Sequence, residues 1–210
     1  ELFSKVDVKP EQIAGLSFCS QMQGLVLVDR DGTPVRRAMS YMDQRAGEEL
    51  KKGLAHGPQI AGANVVKLLK CLKANGAVPS SVKDPVWKYK WVQSHEPGNF
   101  ARTDKWLDVK EYLLLRCTGR AVMTEDSAYA TLLYDTKKRA WSESLCRMFG
   151  VNMDHLPPVI QSADKAGGLT GRAAEELGLV PGTPVFGGGG DASLIGIGAG
   201  AAAVGSTHIY

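Results

Sequence analysis

The chain has 210 residues, 44% hydrophobic and 22% charged, with a formal net charge of +3. That is apolar material for one core and too little for two. The Lys and Arg residues are scattered rather than gathered into a basic stripe with interleaved aromatics, which argues against nucleic acid as a partner.

Taken in chain order, residues 2–9 read as the tail of a helix, and Pro10, Glu11 and Gln12 as a turn into a strand over 13–19. An apolar strand over 25–28 meets Asp31-Gly32, a hairpin signal, and returns over 35–41. Asp43 is placed to cap a helix running from 44 towards 52. The middle third is helical, with apolar residues at helical spacing over 65–73, 87–94 and 103–115, the last closed by Gly119. Helices over 127–133 and 142–149 follow, the second stopped by Pro157-Pro158. A helix over 171–177 then leads through Gly178 and Pro181-Gly182 to a strand over 184–187.

Residues 192–205 are Ala/Gly-rich and shorter than a bilayer span, so they read as a tightly packed helix rather than a membrane segment. No stretch has the pattern of a signal peptide. Cys19, Cys71, Cys117 and Cys146 show no CxxC or Cys/His spacing, which argues against a zinc site or a disulfide framework and fits a reducing cytoplasm. The four tryptophans are best explained by core packing, and no histidine has a partner at ligand spacing. Strands and helices alternate at both ends around a helical middle, which predicts one α/β domain with an added helical layer. The chain starts on Glu1 rather than Met, and residues 207–210 look like a strand in progress, so a piece of a longer protein is expected.

The strongest local feature is Pro184-Val185-Phe186 followed by Gly187-Gly188-Gly189-Gly190-Asp191. A buried strand runs into a turn without Cβ atoms, where a ligand could approach the backbone, and a carboxylate follows at a helix start with its unpaired N–H groups. From local sequence alone Asp191 is equally a helix cap and a catalytic group. Neither GxxxxGK[ST] nor GxGxxG is present. A second polar set, Gln21 and Gln23 after the first strand and Tyr41, Asp43 and Arg45 at the next junction, suits a polyhydroxylated ligand at strand ends. It also fits a helix capped by Asp43, with Arg45 paired to Glu48 or Glu49.

In this order, Ser20-Gln21-Met22-Gln23-Gly24, Asp31-Gly32, Tyr41-Met42-Asp43-Gln44-Arg45, residues 87–97 and 113–120, Leu132-Leu133-Tyr134-Asp135 and the Gly-Gly-Gly-Asp turn resemble the first domain of the FGGY carbohydrate kinases. The resemblance implies an actin-like, ribonuclease-H-like α/β domain whose first strands and second, ATP-side domain lie outside this chain. It implies Asp191 as catalytic base, and Gln21, Met22, Gln23, Tyr41, Asp43 and Arg45 on the sugar side. Gly189 and Gly190 are then the cofactor-side contacts, with ATP and Mg²⁺ used by the parent and no metal ligand within this chain. A ketose or polyol, with a pentulose such as xylulose favoured, is the implied substrate, and a homodimer is within the family's range. Two departures stand out. Gln23 occupies a position where xylulokinase-like relatives carry His, and the family's two phosphate motifs fall outside residues 1–210, so this piece alone is expected to be inactive. The competing expectation is a non-catalytic sugar-sensing or assembly protein on the same scaffold.

Overall fold

A computed structural model describes residues 5–55, 58–60 and 63–207. After a 3₁₀ turn at Pro10–Gln12, the first third contains β1 (Cys19–Ser20), β2 (Val26–Val28), α1 (Gly47–Leu54), β3 (Gln59–Ile60), β4 (Ala63–Asn64) and α2 (Val65–Ala74). The middle contains α3 (Pro85–His95), α4 (Pro97–Ala101), β5 (Lys105–Leu107), α5 (Val109–Thr118), β6 (Met123–Thr124), α6 (Glu125–Ala130), β7 (Tyr134–Asp135), β8 (Ala140–Trp141) and α7 (Glu143–Phe149). The last part contains β9 (Val159–Ile160), β10 (Lys165–Gly168), α8 (Gly171–Leu177), β11 (Pro184–Phe186), β12 (Gly189–Gly190) and α9 (Asp191–Gly198). Among the described residues, no helix is long and apolar enough to cross a membrane.

β2 shows why this architecture forms. Its residues alternate between two faces and are buried on both, which is the pattern of a central strand. Leu25 and Leu27 join the large core with Met39, Trp87, Tyr89, Trp106, Leu133 and Phe149, while Val26 and Val28 pack with Leu107 on the other side. Its antiparallel partner β5 splits the same way, with Trp106 in one core and Leu107 in the other. Tyr89 stacks on Trp106 at 4.9 Å and Trp87 meets Phe149 edge-on at 5.4 Å, so these aromatics fill the core as expected. A further core of Leu114, Cys117, Ala166, Ala174 and Val185 joins α5, α8, β10 and β11.

Several expected elements are corrected. Residues 5–9 form no helix, residues 2–4 lie outside those described, and the strand expected over 13–19 survives only as a bridge from Leu16 to Val185 and as Cys19 in β1. The hairpin return is likewise reduced to bridges, Pro34 to Val28 and Met39 to Leu25. The helix expected over 103–115 divides at Asp108, because residues 105–107 pair with β2 and the Asp108 carboxylate caps α5 by accepting the Val109 N–H at 2.7 Å. Tertiary strand pairing there overrides a helical pattern. Gly150, left-handed at φ 65°, ends α7 before the prolines are reached. Trp106 and Trp141 lie on strands rather than helices. The helix after Asp191 stops at Gly198 and none of its residues is buried, so it is not tightly packed within the described residues. The strand expected over 207–210 falls largely outside them.

Candidate functional site

β1 and β12 pair in parallel, with Cys19 opposite Gly189 and Ser20 opposite Gly190. Parallel neighbours release their chains at the same sheet edge. Gln21-Met22-Gln23 and Asp191 therefore emerge side by side, although they lie near opposite ends of the sequence. With Tyr41, Asp84, Asp126 and Tyr129 they line an open cleft of about 710 Å³, a size typical of small-molecule sites.

One wall is a turn held in an unfavourable conformation. Gln23 has φ 64°, in the left-handed region that costs a non-glycine residue roughly 1–3 kcal/mol. Its neighbours hold it there: the Gln23 carbonyl accepts from Lys88 Nζ at 2.8 Å, and the Gly24 N–H donates to Asp108 Oδ1 at 3.0 Å. Gln23 Nε2 reaches Asp84 Oδ1 at 3.5 Å, and Asp84 Oδ2 accepts from the Ser81 N–H at 2.8 Å. Burial pushes the Asp84 carboxyl above its ordinary value, with the Ser81 N–H and the Lys88 charge pulling the other way.

The opposite wall is the glycine turn, and its amides are already in use. Gly187, Gly188 and Gly189 donate to the carbonyls of Asp164, Ser162 and Phe18, and Gly190 donates to Asp126 Oδ2 at 2.7 Å. These positions require glycine for packing: a Cβ on Gly190 would overlap the Met22 side chain, and one on Gly188, where φ is 70°, would strike the Phe18 carbonyl oxygen. Gly189 and Gly190 thus offer no free N–H to a cofactor. Asp126 is itself fixed by the Ser127 N–H at 2.9 Å, by the Thr124 hydroxyl and by Lys110 Nζ at 3.9 Å. Behind it Lys110 is buried against Glu111 at 2.6 Å. Burial raises the Asp126 carboxyl, but the bonds from Thr124 and Gly190, the Lys110 charge and the Ser127 N–H outweigh it, leaving the group below its usual range.

Asp191 is exposed at the cleft and is the first residue of α9, with Gly190 as its cap. One carboxylate oxygen accepts the Ala192 N–H at 2.9 Å; the other accepts no hydrogen bond among the described residues. The carboxylate thus satisfies part of the helix start and keeps an oxygen for a ligand.

Gln21, Met22, Gln23, Tyr41 and Asp191 are brought together; Asp43 and Arg45 are not among the cleft-lining residues. Asp43 does not cap α1, whose cap position is Ala46 with no side-chain bond. It pairs with Arg45 at 3.0 Å, and the Arg45 guanidinium lies 4.8 Å from the Trp91 ring centroid. Glu48 and Glu49 instead face Lys52 and His95. Sequence reasoning missed Asp84, Lys88, Asp126 and Tyr129. Two are carboxylates beside helix starts, a signal shared by every ordinary cap, and Lys88 lies amid an aromatic run that reads as core.

The sequence pattern described as "FGGY family of carbohydrate kinases, N-terminal domain" matches residues 1–198. A xylulose kinase of Bacillus subtilis (strain 168) is 32% identical over 208 residues, covering 99% of this chain and 39% of the relative. Ligand-bound xylulose kinase from Lactobacillus acidophilus superposes with a TM-score of 0.79 at 24% identity, over 95% of this chain and 38% of that one. Gluconate kinase from the same organism gives 0.77 at 24% identity, over 94% of this chain and 38% of that one. The chain thus spans less than two fifths of the length of these proteins. What they share with it in structure is the actin-like α/β fold.

Proposed function

The chain belongs to the FGGY family of carbohydrate kinases, and from that premise we propose that it is the sugar-side domain of an ATP-dependent kinase that phosphorylates a hydroxyl of a ketose or polyol, xylulose favoured. The observation that carries this reading is the parallel β1–β12 pair, which sets Asp191 and the Gln21–Gln23 turn around one cleft. Phosphoryl transfer asks the protein mainly for positioning and charge stabilisation. The free oxygen of Asp191 orients the attacking hydroxyl and takes its proton as the new P–O bond forms. The Gln21 and Gln23 amides and the Tyr41 hydroxyl supply donors and acceptors for the remaining hydroxyls, and Met22 offers an apolar edge. Gln23 does not titrate, so its contact is a hydrogen bond at any pH. Asp43 and Arg45 lie outside the cleft lining and act on the sugar only through the loop that carries Tyr41.

ATP, when bound, supplies the phosphoryl group. The described residues do not fit it or its Mg²⁺ by themselves: the glycine amides are spent internally, and among these residues no three His, Cys, Asp or Glu side chains are grouped to hold a metal. Nucleotide and metal are therefore proposed for the longer parent, with its ATP-side domain as partner. The reading also places the parent in the cytoplasm and admits a homodimer.

The test is a panel of ketoses and polyols against the full-length protein, read as ADP release. With the accepted sugar, Asp191→Asn lowers kcat by roughly 10²–10⁴-fold while sparing sugar affinity. A near-normal rate overturns the assignment of the base. Sugar binding without turnover by the wild type would favour the sensor.

A further inference from the structure

Lys88 lies on α3 between Trp87 and Tyr89, and its residue is 0% exposed. Its ammonium contacts no carboxylate within ion-pair distance among the described residues. Instead Nζ donates to the Gln23 carbonyl and to the Ser40 carbonyl, each at 2.8 Å. These acceptors belong to two separate loops on the same wall of the cleft: one carries Gln21, Met22 and Gln23, and the other passes from Ser40 directly into Tyr41. A buried ammonium is costly, and an apolar side chain of similar length would fill the same space without that cost. The side chain thus ties together two ligand-lining loops just beyond the Leu25–Met39 bridge, where the backbone pairing between them ends, and it holds Gln23 in its left-handed conformation.

Resting on the kinase reading above, we infer that Lys88 is a positioning residue for the sugar: its ammonium sets the spacing between the Gln21–Gln23 turn and Tyr41, and so determines sugar affinity rather than the chemical step. The charges that face it agree with this. Burial lowers the Lys88 pKa to about 8; Asp43, Asp108 and Asp84 favour the charged form and Lys83 opposes it. The strap is therefore charged at neutral pH and loses its charge assistance as the pH rises through about 8.

The experiment uses the full-length enzyme and the sugar that it phosphorylates, with Lys88→Met and Lys88→Gln compared with wild type. The expected result is a rise in the sugar KM of roughly tenfold or more in Lys88→Met, with kcat within about threefold. Lys88→Gln, which keeps a donor, falls between. In wild type, kcat/KM for the sugar declines above pH 8, and this decline is absent from Lys88→Met. If Lys88→Met does not fold, Lys88→Gln carries the test. A wild-type KM in the folded variants, a loss confined to kcat, or failure of both to fold overturns the inference. Turnover by wild type together with any of these leaves the kinase reading standing; no turnover with any sugar or polyol fails that reading and takes this inference with it.

Discussion

Replacing Asp126 by Asn tests how the glycine turn is anchored. The Asp126 carboxylate receives two backbone N–H groups on different oxygens: Gly190 on Oδ2 at 2.7 Å and Ser127 on Oδ1 at 2.9 Å. An Asn amide has one oxygen, so whichever way it turns, its NH₂ faces one of these N–H groups. The cost is a charge-assisted hydrogen bond to a partly buried amide, together with a weaker attraction to Lys110, which Glu111 already pairs, or about 1.5–3 kcal/mol. Gly190 immediately precedes Asp191, so the same change loosens the proposed base, and kcat should fall more than KM rises. The carboxylate also carries a pH signature. Its folded pKa lies below the ordinary value, so its contribution is present above the unfolded value of about 3.9 and is lost as pH falls through the folded value. Urea unfolding of full-length wild type and Asp126→Asn at pH 7 and at successively lower pH reads this out, with the difference between the two proteins shrinking as the pH falls through the folded value. Amide exchange at Gly190 should quicken in the variant. A stability difference below about 0.5 kcal/mol at pH 7 with unchanged kcat would refute the anchoring role.

Gly190→Ala places a methyl where the Met22 side chain lies; the flexible thioether gives way, and the sugar KM should rise several-fold with the chemical step less affected. Adding Met22→Ala relieves the clash, so the two changes are non-additive in thermal unfolding. Asp108 has its pKa raised to about 7 by burial and by Glu111, against the Val109 and Gly24 N–H groups and Lys110. A raised folded value means that folding favours the protonated form, so this group's contribution to stability falls as pH rises from about 4 to about 7. Asp108→Asn keeps the Oδ1 that accepts both N–H groups, and unfolding titrations from pH 5 to 8 should show that decline flattened; an identical pH dependence would remove Asp108 as its source.

The parts of the fold legible in the sequence are those with a short-range cause. The helix Gly171–Leu177 is bounded by Thr170, which accepts the Ala173 N–H, and by left-handed Gly178. The apolar run at Val26–Val28 needs no partner to be named before it reads as a strand. Residues 103–115 were not legible in this way: Trp106 and Leu107 suit a helix as well as a strand, and only pairing with β2 decides between them. Asp43 failed for a different reason, a competing local partner: its carboxylate accepts from Arg45 two residues away instead of from a helix amide.

By itself the sequence determined that a glycine run ending in Asp191 follows a buried strand, and that a Gln-Met-Gln turn follows another. Tertiary structure decided what those pieces mean. Parallel pairing of Cys19–Ser20 with Gly189–Gly190 puts both at one cleft. Long-range partners then took the amides that the glycines had seemed to offer, with Asp126 claiming Gly190. The position of Asp191 had the same origin: the backbone made Gly190 the cap and left one Asp191 oxygen unbonded among the described residues, which is what the proposed base needs. Residue types set what each group can donate or accept, but only the packed chain settles which of those capacities are consumed internally and which remain for a ligand.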